Sequence, residues 1–446
     1  MPTKPETTTG TTTGPDLIID IRDLAVHYSL RGGTLARLVG SDTGTVKAVD
    51  GINLALERGE VVGLVGESGS GKSTLGRALL GLVPATEGSI TFEGQDLAQL
   101  SRRRLRALRR DIQMVFQDPN AALNPSMTVE AAVGDALRVH GMRSAAERRV
   151  KVIAALERVG LSPVELFLEK YPRDLSGGQK QRVVMARATI TDPSVLVADE
   201  PISMLDMSVR AKILQLMLDL REELELTYVY ITHDLASAKY FCDRIAIMYL
   251  GRIVELGATE EIFANPRHPY TKALLRAIPD PDPGRRLPRD LPRGEVPDAA
   301  DPPLGCAFHP RCPEATSICG WESRDLRTLV EAHWTRRSPE EYDAERAVVG
   351  DIDHLDAGAK EATIGAQGAE QTREFLDRVR AEVPEDPIWT GVEAITDAGS
   401  GVRVHFHEGV DPALRRAGGV DVACVLYPEG SGEVADEGSA EVPAGS

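Results

Sequence analysis

An α/β fold built on a buried parallel sheet is predicted by three observations. Strand-like and helix-like stretches alternate from Leu17 to Leu256, the order of a layered α/β domain. One strand-like run, Val195-Leu196-Val197-Ala198, is wholly apolar, which implies burial on both faces, as in a parallel sheet. The apolar run Val61-Val62-Gly63-Leu64-Val65 feeds a glycine-rich loop and then a helix-like Leu75–Leu82, the strand–loop–helix context in which such folds hold phosphate.

That loop reads Gly66-Glu67-Ser68-Gly69-Ser70-Gly71-Lys72-Ser73-Thr74. Its glycines let the backbone curl so that successive N–H groups point inward at phosphate oxygens. The helix that follows adds a partial positive charge at the same place. Lys72 is placed to reach the β- and γ-phosphates of a nucleotide, and the Ser73 hydroxyl to ligate Mg²⁺.

The elements follow in order. The Thr/Pro/Gly-rich start, residues 1–16, is expected to be disordered. Leu17–Tyr28 and Val46–Leu56 read as strands flanking a Gly-rich loop, and Tyr28 could stack on adenine or simply pack in a sheet. Ser89–Phe92 is a short strand. Ser101–Arg110 carries six arginines; no aromatics interleave, so a solvated helix face explains them better than nucleic-acid binding. Asp111–Phe116 returns to strand and ends in Gln117-Asp118-Pro119. Met127–Glu169 is helical in pattern, an insertion in the α/β domain, with Val150, Ile153, Ala154, Leu156 and Val159 assigned to one face. Leu175-Ser176-Gly177-Gly178-Gln179 opens another helix, a further anion-binding N-terminus. The apolar strand then ends in Asp199-Glu200, Ser203-Met204-Leu205-Asp206 forms a turn, and a helix runs from about Ser208 to Leu224. The strand Tyr228–Thr232 delivers His233. Strands near Arg244–Tyr249 and Arg252–Leu256 close the unit.

Bulk properties limit the rest. The chain of 446 residues is long enough for two or three domains. It has no apolar run of ~18 residues and no secretory leader at its N-terminus, so a cytosolic protein without a membrane span is expected. The net charge of −17 is uneven: 24 acidic and 8 basic residues lie between Ser338 and Ser446. The acidity therefore belongs to the C-terminal region, either as a halophilic surface or as a solvated segment. No internal repeat is visible.

The complete loop, the Asp-Glu strand end, the strand-ending glutamine, the Leu-Ser-Gly-Gly-Gln helix start and the strand-ending histidine, in this order, resemble the nucleotide-binding subunit of ABC transporters over roughly residues 17–257. The resemblance implies a P-loop ABC ATPase fold: a RecA-like core, an antiparallel β subdomain and an α-helical subdomain. It also implies roles. Gly66–Thr74 is the Walker A loop. Ser73, Gln117 and Asp199 would hold Mg²⁺, Glu200 would polarise the attacking water, and His233 would sense the γ-phosphate. Ser176, Gly177, Gly178 and Gln179 form the signature that covers ATP bound by another subunit, and Asp206 ends the D-loop. One chain offers one such loop and one such helix start, so two chains are needed to enclose two ATPs.

Beyond Gly257 the composition shifts. Thr259–Ile278 looks helical apart from two Pro breaks, Pro279–Pro303 is a proline-rich linker, and Cys306, Cys312 and Cys319 follow within fourteen residues. The strings Asn265-Pro266-Arg267-His268-Pro269-Tyr270-Thr271, Arg293-Gly294-Glu295-Val296-Pro297 and Phe308-His309-Pro310-Arg311-Cys312-Pro313 resemble the oligopeptide/dipeptide branch of importers, across an extension spanning residues 258–337. A fourth cysteine of that branch matches Cys424 in Val422-Ala423-Cys424-Val425-Leu426-Tyr427, but about a hundred residues late, so residues 338–419 read as an acidic insertion. The end of the C-terminal region, residues 420–446, then carries this cysteine and a disordered tail. Three cysteines so close suggest a metal or cluster site in a reducing compartment. The resemblance favours a 4Fe–4S cluster on Cys306, Cys312, Cys319 and Cys424, with Zn²⁺ or unligated thiols as the alternatives. Cys242 is expected to be core packing.

The implied function is the ATP-hydrolysing subunit of a dipeptide or oligopeptide importer, peripheral on the cytoplasmic face of the membrane. Its implied partners are a second ABC ATPase subunit, two transmembrane permease subunits and an external solute-binding protein. Sugars or nickel chelates remain possible cargoes on sequence alone. A soluble repair or translation ATPase of the same superfamily needs long coiled coils or two fused ATPase units, and the sequence has neither.

Overall fold

The computed structural model describes residues 16–29, 45–278 and 294–428. The expected N-terminal tail (save its last residue), the Gly-rich loop before residue 45, most of the proline-rich linker and the C-terminal tail lie outside the described residues. The chain divides into two compact units. The first gathers Met1–His27, Ala48–Val65 and Lys72–Asp243; the second gathers Tyr28–Lys47, Gly66–Gly71 and Arg244–Ser446. The expected domain end at Gly257 therefore falls inside the second unit.

In the first unit, β1 (Leu17–Ser29), β2 (Thr45–Glu57), β4 (Glu87–Phe92) and β5 (Gln95–Asp96) form a sheet in the order β2-β1-β4-β5, with β1–β4 and β4–β5 antiparallel. A parallel strip runs β3-β8-β7-β6, from Val61–Val65, Thr227–Thr232, Val195–Asp199 and Ile112–Val115. Every residue of β3, β7 and β8 is buried, as a parallel sheet covered on both faces requires. Val65 pairs with Thr232 and Asp199 with Ile231. The chain therefore leaves all three strands at the same edge of the sheet, where α/β folds place their ligands.

The helical insertion is present as Val129–Val139, Ala145–Arg158 and the short Glu165–Leu168. Thr128 and Ser144 cap the two longer helices, accepting from Ala131 and Glu147 N–H, the usual means of satisfying an orphan donor. The buried face differs from the sequence reading. Val152, Ala155, Leu156 and Val159 face the core, whereas Val150 is 68 % exposed. The true stripe keeps the i, i+3, i+4, i+7 spacing but starts two residues later, because the intervening alanines and the valine at 150 made two phases nearly equal.

In the second unit, β9 (Arg244–Tyr249) pairs antiparallel with β10 (Arg252–Ala258), and β10 with β15 (Val420–Val422). β14 (Arg415–Ala417) lies outside β15. The expected strand Val420–Tyr427 is thus three residues long; it ends where Ala423 N–H bonds to Val254 O and the chain turns at Cys424.

The acidic stretch is a folded module rather than an extended segment. β11 (Glu361–Ile364), β13 (Gly401–Phe406) and β12 (Val392–Ala398) form an antiparallel sheet. Helices Ser323–Trp334, Pro339–Val349 and Ala369–Glu382 accompany it. Its core includes Trp321, Leu326, Val330, Ile364, Phe375, Val379, Val402 and Phe406. This core also takes in Trp321 and the helix Ser323–Trp334, which precede Ser338. Charges line the outside and apolar residues recur inside at helical and strand spacing, so net charge alone concealed a core. No helix among the described residues is long and apolar enough to cross a membrane.

Candidate functional site

The glycine-rich loop turns tightly between β3 and the helix Lys72–Leu79. Gly69 and Gly71 adopt φ of +82° and +98°, a region that side chains rarely occupy. Ser70 N–H bonds back to Glu67 O at 3.2 Å. Gly66 is required for a different reason: a Cβ there would stand 2.2 Å from Met248 O. The helix has no acidic residue of its own in its first turn, and its positive end favours a bound anion. Lys72 is buried, at 5 % exposure.

Ser73 Oγ donates to Asp199 Oδ1 at 3.0 Å. Two of the three expected Mg²⁺ ligands are therefore in contact, while the third, Gln117, bonds to Glu200. Burial raises the Asp199 pKa, an effect opposed by the Ser73 hydrogen bond and reinforced by Glu200. A carboxylate that is costly to ionise in isolation is one that a divalent cation would stabilise.

Glu200 sits one residue beyond β7 with φ +46°, a strained conformation of the kind that clusters at functional sites. Its N–H is tied to Ile231 O at 2.9 Å, and Ser203 Oγ donates to its carbonyl at 3.1 Å. Both carboxylate oxygens are occupied. Gln117 Nε2 donates to Oε2 at 2.9 Å, and His233 Nδ1 lies 3.0 Å from Oε1. With Glu200 ionised, His233 must carry its proton on Nδ1 in this contact, which leaves Nε2 for another partner. Three residues distant in sequence, Gln117, Glu200 and His233, are thus brought to one carboxylate at the common edge of β6, β7 and β8.

Ser176 caps the helix Gly177–Thr189 with a reciprocal box: Ser176 Oγ accepts from Gln179 N–H at 3.3 Å and Gln179 Oε1 from Ser176 N–H at 2.9 Å. Gly177 and Gly178 form the first turn. A Cβ on Gly178 would come within 2.8 Å of Val209 Cγ1, so the glycine permits close packing. Asp206 is the N-cap residue of Met207–Leu224 but makes no side-chain cap. Tyr28 is 42 % exposed near the end of β1. Ser68 is exposed and Thr74 half-buried on the helix.

In the second unit, Cys306, Cys312, Cys319 and Cys424 line one small cavity together with His268, Phe308 and Leu426. All four thiols are free. β15, held against β10, is what returns Cys424 to the other three across a hundred residues of chain. Burial pushes the Cys306 thiol up to about 12 and Cys424 to about 11. Among the described residues no group of three or more His, Cys, Asp or Glu side chains is arranged to hold a metal ion. Cys242 is buried, as expected, and its thiol is likewise raised by desolvation.

One contact had no signal in the sequence. Arg311, in the cysteine segment, donates from Nη1 to Glu67 Oε2 at 2.9 Å and from Nη2 to Oε1 at 3.3 Å. Tyr270 Oη accepts the Glu67 N–H at 3.0 Å.

Residues 49–203 match the ABC transporter family, and residues 254–319 match the oligopeptide/dipeptide transporter C-terminal region. The oligopeptide transport ATP-binding protein OppF of Escherichia coli is 44 % identical over 323 residues, covering 72 % of this chain and 94 % of that protein. AppF of Bacillus subtilis, also an oligopeptide transport ATP-binding protein, is 43 % identical over 327 residues, 73 % of this chain and 98 % of its own. With the nucleotide loop, the Asp-Glu pair and its two clamping side chains in place, the chain belongs to the ABC transporter family of ATPases, in the group that carries the oligopeptide/dipeptide transporter C-terminal region.

Proposed function

We propose that this chain is the motor subunit of a peptide importer, and that Glu200 is the residue that drives its hydrolysis step. The observation that carries the reading is the double clamp on Glu200 by Gln117 and His233, beside the Ser73–Asp199 pair. Ser73, Asp199 and Gln117 would hold Mg²⁺, which would supply charge stabilisation at the phosphates, and Lys72 and the loop N–H groups would hold the phosphates of ATP. Glu200 would accept a hydrogen bond from the attacking water and draw off its proton as the bond to the γ-phosphorus forms and that to the bridging oxygen of the leaving ADP breaks. Placement by Gln117 and His233 would keep the base on that line. Negative charge spreading over the γ-oxygens would be met by Lys72. Ser176, Gly177, Gly178 and Gln179 would meet the nucleotide of a second ATPase subunit, with Asp206 at the same junction and Tyr28 beside the adenine. Two permease subunits, fed by an external solute-binding protein, would take up the resulting motion at the cytoplasmic face.

What supports a common role for the four cysteines is that they line one cavity. They would be the ligands of a 4Fe–4S cluster, which supplies structural cross-linking or one-electron chemistry when bound. Protein purified without oxygen should contain iron and absorb broadly in the visible; clean metal-free protein would refute this part alone.

The function is tested with Glu200→Gln. The variant should bind ATP and lose turnover, and peptide uptake should vanish in vesicles carrying the permeases. Hydrolysis near the wild-type rate would refute the role of Glu200, and stimulation by a permease specific for another solute would refute the cargo.

A further inference from the structure

The nucleotide loop carries a residue that its task does not favour. Glu67 places a carboxylate on a turn whose N–H groups would gather negative phosphate, and like charges repel more strongly where solvent is partly excluded. The contact made by Arg311 addresses this. The guanidinium engages both carboxylate oxygens of Glu67 in the forked geometry that Arg and carboxylate share. Its side chain is 9 % exposed and that of Glu67 30 %, so solvent screens the pair only in part.

Arg311 is itself held. Its guanidinium lies 5.9 Å from the ring centres of both Tyr249 and Phe308, and Nη1 also reaches Tyr249 Oη at 3.4 Å. Tyr249, Tyr270 and Phe308 pack mutually with ring centres 4.8–5.3 Å apart. Tyr270 then accepts the Glu67 N–H, so the backbone and the carboxylate of one loop residue are both fixed by the C-terminal region. Arg311 ends the short helix His309–Arg311, and Cys312 follows at once.

We propose that Arg311 is a positioning residue for nucleotide binding: it neutralises and anchors Glu67, so that the cysteine-bearing segment completes the nucleotide loop. The inference rests on residues 66–74 being that loop.

The test measures MgATP affinity of the full chain by titration calorimetry, with Tm recorded for each variant. Arg311→Met should weaken binding about tenfold, within the usual range for a group that acts on a binding site indirectly. Glu67→Gln, which removes the opposed charge, should bind MgATP at least as tightly as wild type. Combined with Arg311→Met it should recover most of the loss, and Arg311→Lys should fall between. Should Arg311→Met be too unstable to titrate, Arg311→Lys and Glu67→Gln still decide the matter. Wild-type affinity in Arg311→Met or Arg311→Lys would overturn the proposal. So would a double variant no better than Arg311→Met, since a merely structural role is not relieved by removing a charge. Failure of the wild-type chain to bind ATP would instead refute the loop assignment.

Discussion

Gln117 Nε2 donates to Glu200 Oε2 at 2.9 Å, and this contact fixes one of the two oxygens of the carboxylate assigned to activate water. His233 holds the other. A carboxylate gripped at both oxygens has little freedom of its own, so its alignment depends on two donors from two other strand ends.

Removing either donor should therefore lower kcat more than it raises KM. Gln117→Ala and His233→Ala are each expected to cost about 10²-fold in turnover, the lower end of general-base assistance. Because both act through Glu200, the double variant should lose much less than the product of the two losses. Steady-state ATPase assays on the two single variants and the double variant measure this directly. Strictly multiplicative losses would mean the two side chains work independently.

Two glycines of the nucleotide loop should respond differently to alanine. At Gly66 an added Cβ meets Met248 O at 2.2 Å, backbone against backbone, and neither can rotate aside. At Gly69 a Cβ meets nothing within 4 Å, and only the φ of +82° resists it. Gly69→Ala is thus expected to cost about 1–2 kcal/mol in stability, the left-handed backbone penalty. Gly66→Ala should cost clearly more and abolish nucleotide binding. Thermal melts with and without ATP separate the two, and equal costs would contradict the backbone clash.

These residues also show what the sequence could reveal. The loop, the Asp-Glu pair, Gln117 and His233 were legible because each lies at a strand end in a pattern dictated by phosphate and metal chemistry. The convergence of Cys424 on the other cysteines was legible only as a motif; the short β10–β15 pairing that achieves it has no local signal. The Arg311–Glu67 pair was invisible, since nothing in the identity of either residue names a partner 244 positions away. The module core was masked in the same way. Its apolar residues are spread among acidic ones, and charge counts average over both faces.

Glu255 gives a pH-dependent expectation. It is fully buried on β10, accepting Arg267 N–H at 2.7 Å and His268 N–H at 3.0 Å. Desolvation raises its pKa above the ordinary 4.5, opposed by those backbone hydrogen bonds. The folded chain then holds this proton more tightly than the unfolded chain. Its contribution is complete below the ordinary value and is lost as pH rises through the raised one. Relative to Glu255→Gln, wild-type Tm should therefore fall with rising pH in that window. Parallel Tm–pH curves for the two proteins would show that the group titrates normally.

The module spanning residues 321–406 should fail separately when its own core is opened. Phe375 is fully buried and packs among residues drawn from the module's helices and sheet. Its ring also meets His333 edge-on, with ring centres 5.5 Å apart. Phe375→Ala should cost about 3–5 kcal/mol, the range for emptying an aromatic site in a core. A core of this size carries few such residues, so that loss consumes much of a small domain's stability. The residues proposed for catalysis, Gln117, Glu200 and His233, lie in the other compact unit, whereas residues 66–71 of the glycine-rich loop share the unit of this module. The expected result is proteolytic cleavage within 321–406 well before cleavage within 72–243. Concerted loss of protease resistance in both stretches would show instead that the module and the other unit fold as one cooperative body.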